Sequence, residues 1–309
     1  MDGILVVAKP VGPTSHDVVG LIRRLSATKR VGHGGTLDPF ASGVLPIFLG
    51  KATRLVEYHL GDRKRYRATV CFGASSTTDD LEGELTPSVG PAPTRSVVVA
   101  ALDAFRGRIR QRPPDYSAIK VAGRRAYAMA RAGQAVELSD REVTIDAIDV
   151  VSWDDTDPER PIAVIDVVCS AGTYVRSLAR DLGAAVGSAA YLGALVRTAS
   201  GPFQLDAAVE VEAIRAAAAD DPAALERLLL PVDAGLDDMP RLRVDPAAIA
   251  ALVRGQPASV DLDVGPIGDG PILVVDEADR LIAVATLRHG RLAPDKVLVD
   301  APTAAAARG

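Results

Sequence analysis

A chain of 309 residues, 48% hydrophobic and 24% charged, has the composition of a globular protein and a length that favours about two domains. Its opening, Met1 to Pro10, mixes Asp2 and Lys9 with a few apolar residues, and no apolar run approaches the roughly 18 residues of a membrane span; neither export nor insertion is expected, and the expected location is cytoplasmic. The net charge of −5 argues against a polyanionic partner, yet residues 1–205 carry 25 basic and 22 acidic side chains whereas residues 206–309 carry 10 and 18, so the acidity belongs to the C-terminal third.

In chain order, Gly3 to Ala8 reads as a short buried strand. Pro10, Gly12 and Pro13 force a turn, and Thr14-Ser-His-Asp17 fits a capping box that opens a helix through about Ser26. Val44 to Leu49 predicts a buried strand, Lys51 to Leu60 a helix, and Tyr66 to Phe72 a strand with alternating faces. Thr94 caps a predicted helix to Phe105. From Arg106 to Arg131, eight basic residues (Arg106, Arg108, Arg110, Arg112, Lys120, Arg124, Arg125 and Arg131) face one acid, Asp115, with Tyr116 and Tyr127 interleaved. Such a run is a polyanion-binding stripe or an ordinary solvated face.

Val143 to Val151 and Ile162 to Val168 are β-rich, and Tyr174 to Val186 has helical spacing at Leu178, Leu182 and Val186. Pro222 to Leu230 predicts a further helix. Pro231 to Pro240 reads as a linker, followed by a helix (Pro246 to Val253), three brief strands (Ile272 to Val275, Leu281 to Leu287, Lys296 to Val299) and an Ala-rich frayed end, Pro302 to Gly309. The irregular alternation favours an α+β fold over a doubly wound one. It sets a larger domain over residues 1–235 before a small, mostly β domain over 240–309.

The densest unusual segment is Gly32-His-Gly-Gly-Thr-Leu-Asp-Pro39. Glycines allow a backbone to approach a ligand closely, and Pro39 restrains Asp38 to extended or turn geometry, which suits a fixed catalytic carboxylate and equally a tight turn in which Asp38 bonds its own backbone. Gly50-Lys51 lacks the earlier glycine and the Ser/Thr of a phosphate-binding loop, no nucleophile elbow is present, and His16, His33, His59 and His289 lack zinc-ligand spacing. Cys71 and Cys169, far apart in apolar runs, are expected to be buried free thiols. A carboxylate enzyme without metal or cofactor is what remains.

Five segments in order carry a resemblance: the glycine-rich loop through Asp38-Pro39, Lys64-Arg65-Tyr66, Gln111-Arg-Pro-Pro-Asp-Tyr-Ser-Ala-Ile-Lys120, Gly172-Thr-Tyr-Val-Arg176, and Leu195-Val-Arg-Thr-Ala-Ser-Gly201. Together they resemble the TruB family of tRNA pseudouridine synthases, over roughly residues 1–205. The resemblance implies isomerisation of uridine 55 in the tRNA T loop by base flipping, on a mixed, mainly antiparallel sheet with flanking helices, with a thumb-like RNA-binding insertion near 106–145 and a PUA-like module over 240–309. It implies no metal or cofactor, tRNA as partner, no obligate protein partner, and a monomer.

Residue by residue, the resemblance makes Asp38 the catalytic aspartate, Tyr66 the ring stacked on the target base, and Arg176 the arginine paired with Asp38, which would lower an Asp pKa by about 1 to 3 units. Asp80 matches an acid that engages this arginine, Leu195 an apolar wall, and His33 the histidine that takes the place of the flipped base in the T loop. Tyr174 and Lys120 fall in matched segments on the substrate side; Tyr116 and Lys120 are supports or direct contacts. Gly34 stands where Thr is usual, a departure that would loosen the loop, and Val196 where an arginine often precedes Arg197. Attack on C1′, attack on C6 and abstraction of a 2′ proton are all open to Asp38. A non-catalytic tRNA-folding protein and a guide-dependent synthase are the competing readings; Asp38, Tyr66 and Arg176 disfavour the first, and the segment Gln111 to Gly133 with the absence of basic tails disfavours the second.

Overall fold

A computed structural model describes residues 1–116, 120–121, 124–125, 138–259, 270–288 and 290–299. Tyr127, Arg131, His289 and the tail from Pro302 lie outside the described residues, as do the side chains of Lys120, Arg124 and Arg125.

The chain opens with β1 (Gly3–Lys9), buried throughout, and α1 (Ser15–Leu25), started by the expected capping box between Thr14 and Asp17. There follow β2 (Val31–His33), β3 (Ser42–Leu49), a 3₁₀ turn (Gly50–Arg54), α2 (Val56–Leu60) and β4 (Lys64–Phe72). A small hairpin, β5 (Ala74–Ser76) and β6 (Leu85–Pro87), precedes α3 (Arg95–Ala101), a second 3₁₀ turn (Leu102–Phe105) and β7 (Gly107–Gln111). The two helices expected at 51–60 and 94–105 each therefore change character partway, tightening or loosening between 3₁₀ and α. The hairpin β8 (Lys120–Val121) and β9 (Arg124–Arg125), β10 (Arg141–Asp154), β11 (Ile162–Cys169), α4 (Val175–Ala185) and β12 (Ala190–Ser200) complete the middle of the chain. After β13 (Phe203–Gln204) and β14 (Val209–Glu210) come α5 (Val211–Asp220) and α6 (Pro222–Glu226), then β15 (Arg241–Arg243), α7 (Pro246–Val253), β16 (Ala258–Ser259), β17 (Pro271–Val275), β18 (Leu281–Arg288) and β19 (Arg291–Val297).

The large sheet runs β14-β1-β3-β12-β4-β11-β10-β7, with β2 on β3 and β13 on β12. It is mixed and mainly antiparallel, its parallel pairs being β1 with β14 and β3 with β12. β1 is apolar at successive positions because both its faces are covered: Leu5 and Val7 pack with Val18, Ile22 and Ile214, whereas Ile4 and Val6 pack with Phe48 and Phe203. On the other half of the sheet, Leu178 and Leu182 of α4 and Val98 of α3 cover Val70, Ile148, Ile165 and Leu192. Cys71 and Cys169 are free, and burial pushes the Cys169 thiol up to about 11.

The small domain is a second sheet, β15-β17-β18-β19-β16, with α7 on one face. The segment expected as a linker, Pro231 to Pro240, does not behave as one. Leu236 and Met239 within it pack with Leu55 and Tyr58 of the large domain and Leu273, Val284 and Leu298 of the small one in a single cluster. Its Asp and Gly content suggested a tether, but the apolar residues between them decide its fate. Arg54 donates to the carbonyl of Val297, and Lys296 pairs with Glu57 at 3.1 Å across the same junction.

Candidate active site

The loop between β2 and β3 carries Asp38, and two buried cations hold its backbone. Lys9, at the end of β1, donates from Nζ to the carbonyls of Ala41 (2.6 Å), Pro10 (2.9 Å) and Pro39 (3.4 Å). Arg197, on β12, donates from Nε to Val44 O at 2.7 Å, from Nη2 to Gly35 O at 3.1 Å and from Nη1 to Thr36 O at 3.4 Å. Both side chains are 1% exposed, and burial lowers the Lys9 pKa to about 8. Ser15, at the start of α1, closes the loop from the other side, accepting from Leu37 N at 2.8 Å and donating to Leu37 O at 3.0 Å.

Two glycines explain why the segment needs small residues. Gly43 has φ +106°, and a Cβ there would lie 2.2 Å from Arg197 O, so only glycine lets β3 run against β12. At Gly34, a Cβ would stand 3.0 Å from Phe48 Cε2. Gly34 N donates to Pro46 O at 2.9 Å, a backbone anchor that needs no side chain.

Asp38 meets the N-terminal turn of α4. Arg176 Nε lies 3.0 Å from Asp38 Oδ2, while its Nη1 lies 3.2 Å from Asp80 Oδ2. Nη1 also donates to Thr78 O at 3.2 Å, and Nη2 to Tyr116 O at 2.9 Å. The side chains of Arg176 and Asp80 are 7% and 3% exposed, against 36% for Asp38, so the pair supporting the carboxylate is sealed and the carboxylate itself is open to a ligand. Burial raises the Asp38 pKa above its ordinary value; Arg176 opposes that shift, Asp80 adds to it, and Lys9 opposes it. The downward shift expected from Arg176 alone is therefore outweighed by desolvation.

A cavity of about 280 Å³ opens beside Asp38, lined among others by Tyr66, Tyr174, Arg176, Leu195, Lys64 and Arg197. That volume sits at the small end of ligand sites, about 300 to 1,000 Å³, and matches a single base better than a dinucleotide cofactor. Tyr66 and Leu195 reach it from adjacent strands, in a register that pairs Tyr66 with Arg197 and Ala68 with Leu195. Burial raises the Tyr66 pKa, keeping the phenol neutral. Asp80 stands behind Arg176 rather than in the cavity wall. His33 is also outside that wall; its Nδ1 accepts from Gly35 N at 3.2 Å, and burial, then Arg197 and His16, lower its pKa. Lys120 lies in β8, and its side chain is outside the described residues.

Lys9, Lys64 and Arg197 were given no role by the sequence reading. Lys64 is buried in the cavity wall, and burial lowers its pKa to about 8. The signal was available for the last two: Lys64 and Tyr66, like Leu195 and Arg197, are two apart on a strand and so share a face.

The fold is that of the pseudouridylate synthases. The model for the TruB family pseudouridylate synthase N-terminal domain matches residues 23–175, and that for the tRNA pseudouridylate synthase B C-terminal domain matches residues 176–237. The chain belongs to the TruB family. A protein named tRNA pseudouridine synthase B from Bradyrhizobium diazoefficiens is 43% identical over 298 residues, covering 96% of this chain and 85% of that protein. One of the same name from Symbiobacterium thermophilum is 46% identical over 256 residues, 82% of each chain. Among solved structures, a chain of a Cbf5-Nop10-Gar1 complex superposes with a TM-score of 0.72 at 25% identity, covering 97% of this chain and 85% of that one.

Proposed function

We propose that this protein converts uridine 55 in the T loop of tRNA to pseudouridine, with Asp38 as the catalytic carboxylate. The observation that carries the reading is the convergence of Asp38, Arg176, Tyr66 and Leu195 on one base-sized cavity from four separate segments of the chain. The reaction breaks the glycosidic N–C bond, turns the detached uracil and rejoins it through carbon, with no net redox change. Asp38 supports bond cleavage and re-formation while Arg176 fixes its orientation. Tyr66 and Leu195 confine the uracil as it turns, and Tyr174 closes the rim.

The uridine must leave its stack to reach Asp38, at a cost of a few kcal/mol. His33 fills the vacated place in the T loop, and base stacking of this kind contributes about 1 to 3 kcal/mol. The insertion over 106–145, with Lys120 in it, lies over the RNA as a thumb, and the small domain over 240–309 acts as a PUA-like module. Its attachment through the Leu236 cluster supports treating it as a fixed second contact.

The test is tritium release from [5-³H]uridine-labelled tRNA transcript by the wild type and Asp38→Asn, beside filter binding of both. Release by the wild type alone, with binding kept in the variant, supports the reading; binding without release by either protein points to an RNA-binding role instead.

A further inference from the structure

One turn beyond Arg176, α4 presents a second arginine on the same face. Arg180 draws together three pieces of chain. Its Nη1 lies 2.8 Å from Asp79 Oδ2, its Nε and Nη2 each lie 2.8 Å from Asp181 Oδ1, and its Nη2 donates to Arg112 O at 2.9 Å. Ser177 Oγ donates to the same Arg112 carbonyl at 2.8 Å.

The Asp79 end of this arrangement matters to the site. Asp79 has φ +61°, a left-handed conformation uncommon for side-chain-bearing residues but one that Asp adopts more readily than most. On either side of it stand two of the four groups that hold Arg176: Thr78, whose carbonyl accepts from Nη1, and Asp80, whose Oδ2 pairs with Nη1. Asp80 Oδ1 is meanwhile held by Thr78 Oγ1 at 2.5 Å and Glu82 N at 3.0 Å. The loop is bonded to β12 through Leu192 N on the Asp79 carbonyl at 3.0 Å and to α4 at two points, Arg176 at its edges and Arg180 at its apex. Asp79 is largely buried, and burial raises its pKa with Arg180 the main opposing influence.

We propose that Arg180 is a positioning residue for the isomerisation: by holding Asp79 it fixes the Thr78–Asp80 loop, and that loop aims Arg176 at Asp38. This deepens, and rests on, the reading of the cavity as a synthase site. Arg180 itself lies outside the cavity wall, so it acts through Arg176 and not on the base.

Arg180→Met leaves Asp79 without its cation, and Asp79→Asn/Arg180→Met removes both charges together; Arg180→Lys keeps the charge. For each, single-turnover tritium release, tRNA binding, thermal midpoint and the Asp38 carboxyl titration are measured, the last by ¹³C NMR with Asp38→Asn assigning the signal. Arg176, Asp80 and Lys9 are the groups that act on that titration, and Asp38 in turn acts on Tyr66. In the double variant net charge is unchanged, so an upward shift of the Asp38 titration reports lost orientation of Arg176 and not a lost positive field.

The expected result is a single-turnover rate down about tenfold in Arg180→Met and in the double variant, with binding within about twofold and most of the rate recovered in Arg180→Lys. A folded double variant with wild-type rate and an unmoved Asp38 titration overturns the proposal, as does a loss of rate matched by an equal loss of binding. If the wild type shows no turnover but the titration moves as described, the synthase reading fails and only the aiming of Arg176 at Asp38 by Arg180 stands.

Discussion

Arg197 donates its Nε–H to the carbonyl of Val44 at 2.7 Å, from the strand that carries Leu195 to the strand that follows the Asp38 loop. With its bonds to Gly35 and Thr36, it ties both ends of that loop to the centre of the sheet. Replacing it by methionine keeps much of the volume but strips the buried Val44 carbonyl, and the partly buried carbonyls of Gly35 and Thr36, of their donor. Arg197→Met is expected to lose roughly 3 kcal/mol of stability, at about 1 to 3 kcal/mol per unsatisfied buried group. Urea unfolding reads that loss directly, and tritium release should fall with it because Asp38 loses its footing.

Arg176→Ala should slow turnover by about 100-fold or more, on the scale of removing a preorganised charge from a reacting site, while tRNA binding changes little. Single-turnover kinetics beside filter binding separate the two; an equal loss in both would make Arg176 a binding residue.

Stability should rise between pH 8 and 9. Lys9 and Lys64 each have a folded pKa near 8 against an ordinary 10.5, so in this window the unfolded chain binds more protons than the folded one. Unfolding free energy then increases with pH, by on the order of 1 kcal/mol per lysine across one pH unit. Above pH 9 the raised Cys169 thiol works in the opposite direction, so the lower interval is the informative one. Urea midpoints of wild type, Lys9→Met and Lys64→Met across pH 7.5 to 9 test this, each variant being expected to flatten the rise.

Leu236→Ala and Leu55→Ala should each cost about 2 to 5 kcal/mol, the range for truncating a fully packed leucine. Differential scanning calorimetry should show a single transition that moves down in both. A fragment ending near residue 239 would expose Leu55, Tyr58 and Leu236 together and should be less stable and less soluble than the full chain.

On β7, Arg108 and Arg110 are exposed and, among the described residues, pair only at long range, 3.9 Å to Glu142 and 3.8 Å to Asp140. Such pairs open readily for a stronger anion. The double variant Arg108→Ala/Arg110→Ala should lower tRNA affinity and reduce the slope of log affinity against log salt by about 2. An unchanged slope would show that these arginines serve only β10.

Much of this architecture is legible from local pattern. The capping box of α1, the continuous apolar run of β1 and the alternation in β4 each follow from the residues in that segment alone. The Asp38 loop was legible because glycine, histidine and an Asp-Pro pair cluster there. β12 was harder to read, since Ala190 to Ser200 mixes small, apolar and charged residues, and its identity is fixed by pairing with β4 and β3 rather than by its own period. α5, with Ala216 to Ala219 and no strong apolar stripe, depends likewise on what it packs against. In the site, long-range relations were out of reach: nothing near Lys9 in sequence foretells that its ammonium meets the carbonyls of Pro39 and Ala41. The net upward shift of Asp38 was equally hidden, because burial is a property of the assembled site and not of the loop that carries the residue.

The cluster joining Leu55, Leu236, Leu273, Val284 and Leu298 packs the two sheets directly against one another. The molecule is in this respect a caliper. An RNA that touches the small domain while placing a base beside Asp38 must present those two points at one fixed separation, so stem length would be read as a distance before any nucleotide is read as a letter. A base in the right sequence at the wrong spacing would then meet the cavity out of reach.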